Sequence, residues 1–182
     1  RTLTPEIIKK ERNRRMAYGI LAINPGSTST KTAFYEDERM VWTRSVEHAP
    51  EDIARFAAVF DQYEMRKDLV LAAMQEQGTF LSALSAVVGR GGLLPPVHAG
   101  AYYVNDLMID TLRYRPVNEH ASNMGAAIAD AIARPLGIPA FIYDPVTVDE
   151  MEPIAKITGL AEMTRIGQGH NLNMRAAAIK YA

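Results

Sequence analysis

Apolar positions along the chain fall into two patterns: short continuous runs, and stripes at helical spacing. "YGILAIN" is a continuous run closed by Asn24, Pro25 and Gly26, which predicts a buried strand and then a turn. "KTAFYE" is β-branched and aromatic and predicts a second strand. Asp37 and Glu38 form a tight turn, and "RMVWTRSV" returns as a third strand, so this part reads as a β-meander. The period then changes. Ile53, Phe56, Ala57 and Phe60, followed by Leu69, Ala72 and Ala73, recur at helical spacing until Gly78 ends the run. "LSAVVGRGG" predicts a short strand feeding a glycine-rich corner. Asn105 is a good N-cap for a helix over "NDLMIDTLR". "HASNMGAAIADAIARPLG" is rich in small residues and predicts a helix up to Pro135. "IPAFIYDP" predicts an apolar strand ending at Asp144 and Pro145, with "PVTVDEM" continuing extended. "GILAI", "SALSAVV" and "PAFIY", alternating with helices, predict the central strands of a mixed sheet in an α/β domain.

Composition narrows the possibilities. With 182 residues, 48% of them apolar and 23% charged, the chain suffices for one core, or for one domain and part of another. A net charge of -1 offers no basic field to nucleic acid or a membrane surface. The absence of cysteine excludes disulfides, thiolate metal sites and thiol nucleophiles, and fits a reducing cytosol. No apolar run reaches the roughly 20 residues of a membrane span. The basic "KKERNRR" leads only into the short "YGILAI", so no signal peptide is read. Residues 1–15 read as a flexible or non-native extension before Met16. "GHNLNMRAAAIKYA" stops inside a helical pattern without an end signal, so the chain is expected to be part of something longer.

The stretch "INPGSTSTK" carries a glycine, hydroxyls and a lysine. A Walker A loop needs a glycine directly before the lysine and a helix after it. Here Thr30 precedes Lys31 and a strand follows; a Rossmann fingerprint lacks its glycines. What remains is a turn bearing Asn24, Ser27, Thr28, Ser29 and Thr30. Such a turn can offer N–H groups and hydroxyls to a phosphate, or it can be an ordinary polar hairpin.

Four segments, in order, carry a family resemblance. A strand, a phosphate turn and two more strands at the start of an α/β domain resemble the superfamily of acetate and sugar kinases, Hsp70 and actin. "LAINPGSTSTKTAFYEDE" resembles the first motif of the butyrate kinases, and "VVGRGGLLPPVHAGAYYVN" resembles their arginine loop. "EHASNMGAAIADAIA" resembles their histidine helix, and "PAFIYDPVTVDEMEPIAKITGL" their aspartate strand. The match runs from Tyr18 to about Leu160. It implies a ribonuclease H-like, actin-like ATPase fold, with a first acetokinase-type domain over 16–155 and the start of a nucleotide-binding domain over 156–182. It further implies reversible phosphoryl transfer between ATP and butyrate, or another short or branched carboxylate, with Mg²⁺. The full-length protein would be a cytoplasmic homo-oligomer acting on small molecules, with no nucleic-acid or membrane partner.

Site residues follow from the same matches. Arg90, at a strand end beside Gly91 and Gly92, can bind a carboxylate or phosphoryl group through two parallel hydrogen bonds. Acetate kinases have aliphatic residues after the matching arginine, so Gly91 and Gly92 are expected to mark the acyl pocket, Gly92 leaving room for a longer chain. His120 opens a helix and, by resemblance, hydrogen-bonds the transferring phosphoryl group. Asp144 ends a buried strand and could orient the acceptor or hold Mg²⁺ through water. Asn24 matches the first-loop asparagine, which contacts the phosphoryl group or the metal's water shell; Ser27, Thr28, Ser29 and Lys31 complete the phosphate loop. In "GQGHNLNMRAAA", His170 matches a family histidine, but Gly169 stands where an aromatic residue is usual. His48 and His98 read as structural. The family's glycine-rich adenosine motif is not found, so the isolated chain is expected to lack turnover and to self-associate. The competing reading is a non-catalytic remnant, or an anion-binding or interaction module. A regulator resembling Hsp70 or actin fits the arginine and histidine motifs less well.

Overall fold

The computed structural model describes residues 17–182. The extension read over residues 1–15 lies outside the described residues. The meander forms as expected: β1 (Gly19–Pro25), β2 (Ser29–Glu36) and β3 (Arg39–Glu47) pair antiparallel. Asp37 takes a left-handed φ of 53° at the turn, and its carboxylate accepts from the Tyr18 N–H at 2.9 Å. A short polar side chain tolerates that conformation.

The three apolar runs become neighbours. β4 (Ala86–Arg90) lies parallel to β1, and β6 (Ala140–Tyr143) lies parallel to β4. A three-residue edge strand that the sequence pattern did not mark, β5 (Ala101–Tyr103), pairs antiparallel with β6. The six strands run in the order β3-β2-β1-β4-β6-β5. "PVTVDEM" departs from the extended course expected of it. Asp144 has a φ of 37°, the Val148 N–H turns back to the Pro145 carbonyl at 3.0 Å, and only one bridge forms, between Val97 and Val148.

The stripe from Ile53 to Gly78 is broken, not continuous. α1 covers Pro50–Ala54, a 3₁₀ turn covers Val59–Gln62, and α2 covers Tyr63–Glu76. The break sits at Ala58, whose backbone is extended and whose N–H is captured by the Asp61 carboxylate at 3.0 Å. A carboxylate three residues on offers the backbone a local partner and restarts the helix there. Ala57 and Ala72 are exposed, and the buried positions of α2 are Arg66, Val70, Ala73 and Met74. Gly78, with φ 66°, ends the helix as expected.

α3 (Asp106–Tyr114) starts where predicted, with the Asn105 side chain accepting from the Met108 N–H at 2.8 Å. A 3₁₀ turn (Ala121–Asn123) leads into α4 (Met124–Ala133), which ends through Arg134–Leu136 at Gly137. α4 packs on β4 and β1, and α2 packs beside α4 on the same face. Leu21, Ile23, Phe34, Val70, Met74, Val87, Met124 and Ile128 fill the space between. Gly89 and Gly125 make this packing possible: a Cβ on Gly125 would lie 2.3 Å from the Arg90 carbonyl oxygen, and one on Gly89 would lie 2.1 Å from the Gly125 oxygen. α5 (Asn171–Tyr181) buries none of its residues. No helix of the described residues is long and apolar enough to cross a membrane.

Candidate active site

The carboxyl ends of parallel strands in an open sheet face a crevice, and loops leaving them are free to carry chemistry. Asn24 lies at the end of β1, Arg90 is the last residue of β4, and Asp144 follows β6. Parallel register therefore brings three residues, far apart in sequence, to one rim.

Arg90 ties the rim together. One guanidinium nitrogen donates to Asn24 Oδ1 at 3.3 Å, and the other meets His170 Nδ1 at 3.2 Å. Lys31 pairs in register with Asn24 across the antiparallel β1–β2 ladder and is exposed. Asn24, Lys31 and Arg90 line one cavity of about 200 Å³, floored by Ala22 and Val88 and flanked by Tyr143 and Leu172.

Asp144 is nearly fully buried, 3% exposed. Its Oδ1 accepts from the Gly100 N–H at 2.7 Å and from Arg175 at 3.2 Å, while Oδ2 is buried with no partner. Among the described residues no group of three or more acidic or histidine side chains is placed to hold a metal. A lone buried carboxylate with one unpartnered oxygen fits Mg²⁺ held through its water shell and not by an all-protein cage.

His120 caps the 3₁₀ turn that precedes α4, and does not sit on the α-helix itself. Its Nδ1 accepts from the Ser122 N–H at 3.1 Å and lies 2.8 Å from the Ser122 hydroxyl. An Nδ1 that accepts leaves the hydrogen of the neutral ring on Nε2, an assignment made from the hydrogen-bond network. Burial, and then the positive fields of Arg90, Arg66 and His170, hold the ring's pKa below its ordinary value. His120 is therefore a neutral N–H donor at neutral pH.

The Ser27–Thr30 loop closes through a Gly26 N–H to Ser29 carbonyl bond of 2.7 Å. Ser27 and Thr28 are exposed at its tip, Ser29 is half-buried, and Thr30 is buried. His170 is exposed, and Gly169 beside it has nothing within reach of a Cβ.

The two glycines after Arg90 need a different account from the one the resemblance implied. A Cβ on Gly91 would lie 2.6 Å from Pro145 Cβ; one on Gly92 would lie 2.5 Å from Asn123 Oδ1 and 2.7 Å from Leu112 Cδ2. Both residues are buried, and the volume their missing side chains leave is taken by protein. Their place in the fold is close packing under Arg90, not an opening in a pocket wall. His48 is buried against Thr30, with its Nε2 2.9 Å from the hydroxyl, and His98 lies exposed in a loop.

Two residues at the site went unmarked in the sequence reading. Arg175 reaches Asp144 from α5, and nothing local distinguishes it from any exposed helical arginine. Arg66 lies behind the loop, and it had a signal: Gln62, Arg66, Val70 and Ala73 follow helical spacing and define a buried stripe with a charge on it.

No family model matches the chain. Butyrate kinase 1 of Clostridium acetobutylicum is 44% identical over 165 residues, which is 91% of this chain and 46% of that protein. A probable butyrate kinase of Clostridium botulinum is 44% identical over 166 residues, again 91% of this chain and 47% of its own. The chain spans about half the length of the curated relatives it matches. Among solved structures, acetate kinase of Porphyromonas gingivalis superposes with a TM-score of 0.59 at 14% identity, over 90% of this chain and 49% of that one. Acetate kinase of Entamoeba histolytica gives 0.51 at 10% identity, over 79% of this chain and 39% of that one. Its sequence thus makes this chain a homologue of the butyrate kinases over the part it spans, and its six-stranded mixed sheet has the α/β fold of the acetate kinases.

Proposed function

We propose that this chain forms the carboxylate-and-phosphoryl side of an acyl kinase. That enzyme transfers a phosphoryl group reversibly from ATP to butyrate, or to another short or branched carboxylate, giving an acyl phosphate and ADP. The observation that carries the reading is Arg90 joined to both Asn24 and His170 at the rim where β1 and β4 end. Phosphoryl transfer asks little covalent work of a protein; it asks for two anions to be brought together and for developing charge to be balanced. Arg90 has the fork geometry to hold a carboxylate or phosphoryl oxygen. His120 Nε2–H donates a hydrogen bond without adding a full charge, Lys31 extends the positive rim, and His170 stands against Arg90. Asn24 and the Ser27, Thr28 and Ser29 groups face the phosphoryl oxygens. Bound Mg²⁺ would neutralise charge between the phosphates of ATP, and Asp144, with Asn24, would hold it through water. In this reading residues 16–155 form the first domain and 156–182 begin the nucleotide-binding one. The complete protein is a cytoplasmic homo-oligomer.

The test replaces the matching segment of Clostridium acetobutylicum butyrate kinase 1 with this chain and traps acyl phosphate as hydroxamate. ATP, Mg²⁺ and butyrate are supplied, and an Arg90→Ala chimera runs alongside. Hydroxamate that disappears with Arg90→Ala is the expected result. A chimera that melts cooperatively yet forms none, or one indifferent to Arg90→Ala, overturns the reading.

A further inference from the structure

Arg66 is fully buried, at 0% exposed, and among the described residues no carboxylate lies within ion-pair distance of it. A buried charge without a counter-charge is strongly unfavourable unless its hydrogen bonds are all met. They are met here, and by a restricted set of acceptors. Nε and one terminal nitrogen both donate to Gln62 Oε1, at 3.1 and 2.8 Å. The other terminal nitrogen donates to the Ser29 carbonyl at 3.1 Å and to Thr30 Oγ1 at 3.0 Å. A longer contact of 3.5 Å reaches the Ser27 carbonyl. Apart from Gln62, one helical turn earlier on its own side, every acceptor belongs to the Ser27–Thr30 loop.

This arrangement has two consequences. A trans peptide carries its N–H opposite its C=O, so drawing the Ser27 carbonyl toward Arg66 turns the Thr28 N–H away from it, to the loop's outer side. Thr30 Oγ1, which accepts from Arg66, also lies 2.9 Å from His48 Nε2, so the same hydroxyl ties the loop to a second buried side chain. The guanidinium also places a full positive charge directly behind the loop, in a region where water cannot screen it. Its field reaches His120 across the site.

We propose that Arg66 is a positioning residue for anion binding at the Ser27–Thr30 loop. It holds the loop's oxygens inward, leaves the outer face to N–H and hydroxyl donors, and adds a buried positive charge that draws a phosphoryl group to that face. This inference rests on reading the loop as phosphate-facing.

The test titrates inorganic phosphate into the 182-residue chain at fixed pH and follows backbone amides by heteronuclear NMR. The unmodified chain, Arg66→Met, Arg66→Lys, Gln62→Met and Arg90→Ala are compared. Phosphate is expected to shift the Ser27, Thr28 and Ser29 amides of the unmodified chain. Arg66→Met is expected to weaken that binding about tenfold, the scale of one poorly screened charge. Arg66→Lys, which keeps the charge but loses the fork, recovers part of the loss. If Arg66→Met does not fold, Gln62→Met carries the test, because it leaves the charge in place but removes the acceptor that orients it. A several-fold loss with the remaining spectrum retained supports the proposal. Unchanged phosphate affinity in Arg66→Met or Gln62→Met, with loop shifts present in the unmodified chain and weakened by Arg90→Ala, overturns this inference alone. No loop shift in the unmodified chain overturns the phosphate-facing reading and the inference with it.

Discussion

Gly125→Ala separates two accounts of α4 by sign. If Gly125 is merely one small residue in a helix rich in them, alanine should stabilise, by up to about 1 kcal/mol of helix propensity. The tertiary structure demands the opposite. The new Cβ would sit 2.3 Å from the Arg90 carbonyl oxygen and 3.1 Å from the Arg90 nitrogen. Both are backbone atoms of a central strand, with no rotamer to move out of the way. Ordinary contact begins near 3.4 Å, so helix and strand must separate by roughly 1 Å, and a gap of that size forfeits about a quarter to a half of each dispersion contact across it. The contacts at stake include Met124 and Ile128, both fully buried. Overpacking of this kind costs about 1–3 kcal/mol, and backbone against backbone belongs at the upper end. Subtracting the propensity gain leaves a net loss of about 2 kcal/mol. For a chain of this length that lowers Tm by about 4–8 °C. Thermal melts of the two chains, followed by circular dichroism, measure it. A Tm that rises, or moves by less than a degree, would refute the close approach of α4 to β4 described here. Since Arg90 is the strand residue displaced, phosphate binding at the rim should weaken in the same variant.

Gly92→Ala is expected to cost about 1–3 kcal/mol for a related reason, because Asn123 Oδ1, which the new atom would crowd, already accepts from the Leu93 N–H at 2.8 Å. In the active chimera, a shift in acyl preference with no loss of Tm would instead restore a pocket-widening role for this glycine. Acid should destabilise the chain through His48, whose pKa is held below its ordinary value of about 6.5 by burial and then by Arg66. The sign follows from proton uptake: between the lowered folded value and the unfolded one, the unfolded chain binds more protons. The stabilisation is therefore complete above about pH 6.5 and is lost as pH falls below it. His48→Gln should flatten the fall in Tm over that window, and His120→Gln should flatten it further, since burial lowers that ring as well; a slope unchanged in the double variant would contradict both assignments.

Some of the site was readable before any fold was known, and some was not. Asn24, Arg90 and Asp144 each stand at the end of an apolar run, and a strand that stops at a polar residue places it at the rim of a sheet. The break at Ala58 was hidden because Ile53, Phe56, Ala57 and Phe60 keep the spacing of a helix, while Asp61 competes for the backbone in a way spacing does not register. β5 was hidden for a simpler reason: three residues on an edge, two of them exposed, have no alternation to read.

By itself, the sequence determined the local elements and their kind. The apolar runs in "GILAI", "SALSAVV" and "PAFIY" read as central strands, and Asn105 and Gly78 start or end helices by their own chemistry. Only the tertiary structure decided which groups meet. Arg90 finds Asn24 and His170, Asp144 finds Gly100 and Arg175, and Arg66 finds the back of the loop, across separations of 66, 80, 44, 31 and up to 39 residues. Periodicity reports how one segment meets water; it carries no information on which distant segment will lie beside it. That was settled by strand order, and by two glycines, Gly89 and Gly125, whose missing side chains let a helix rest on the strand that ends in Arg90.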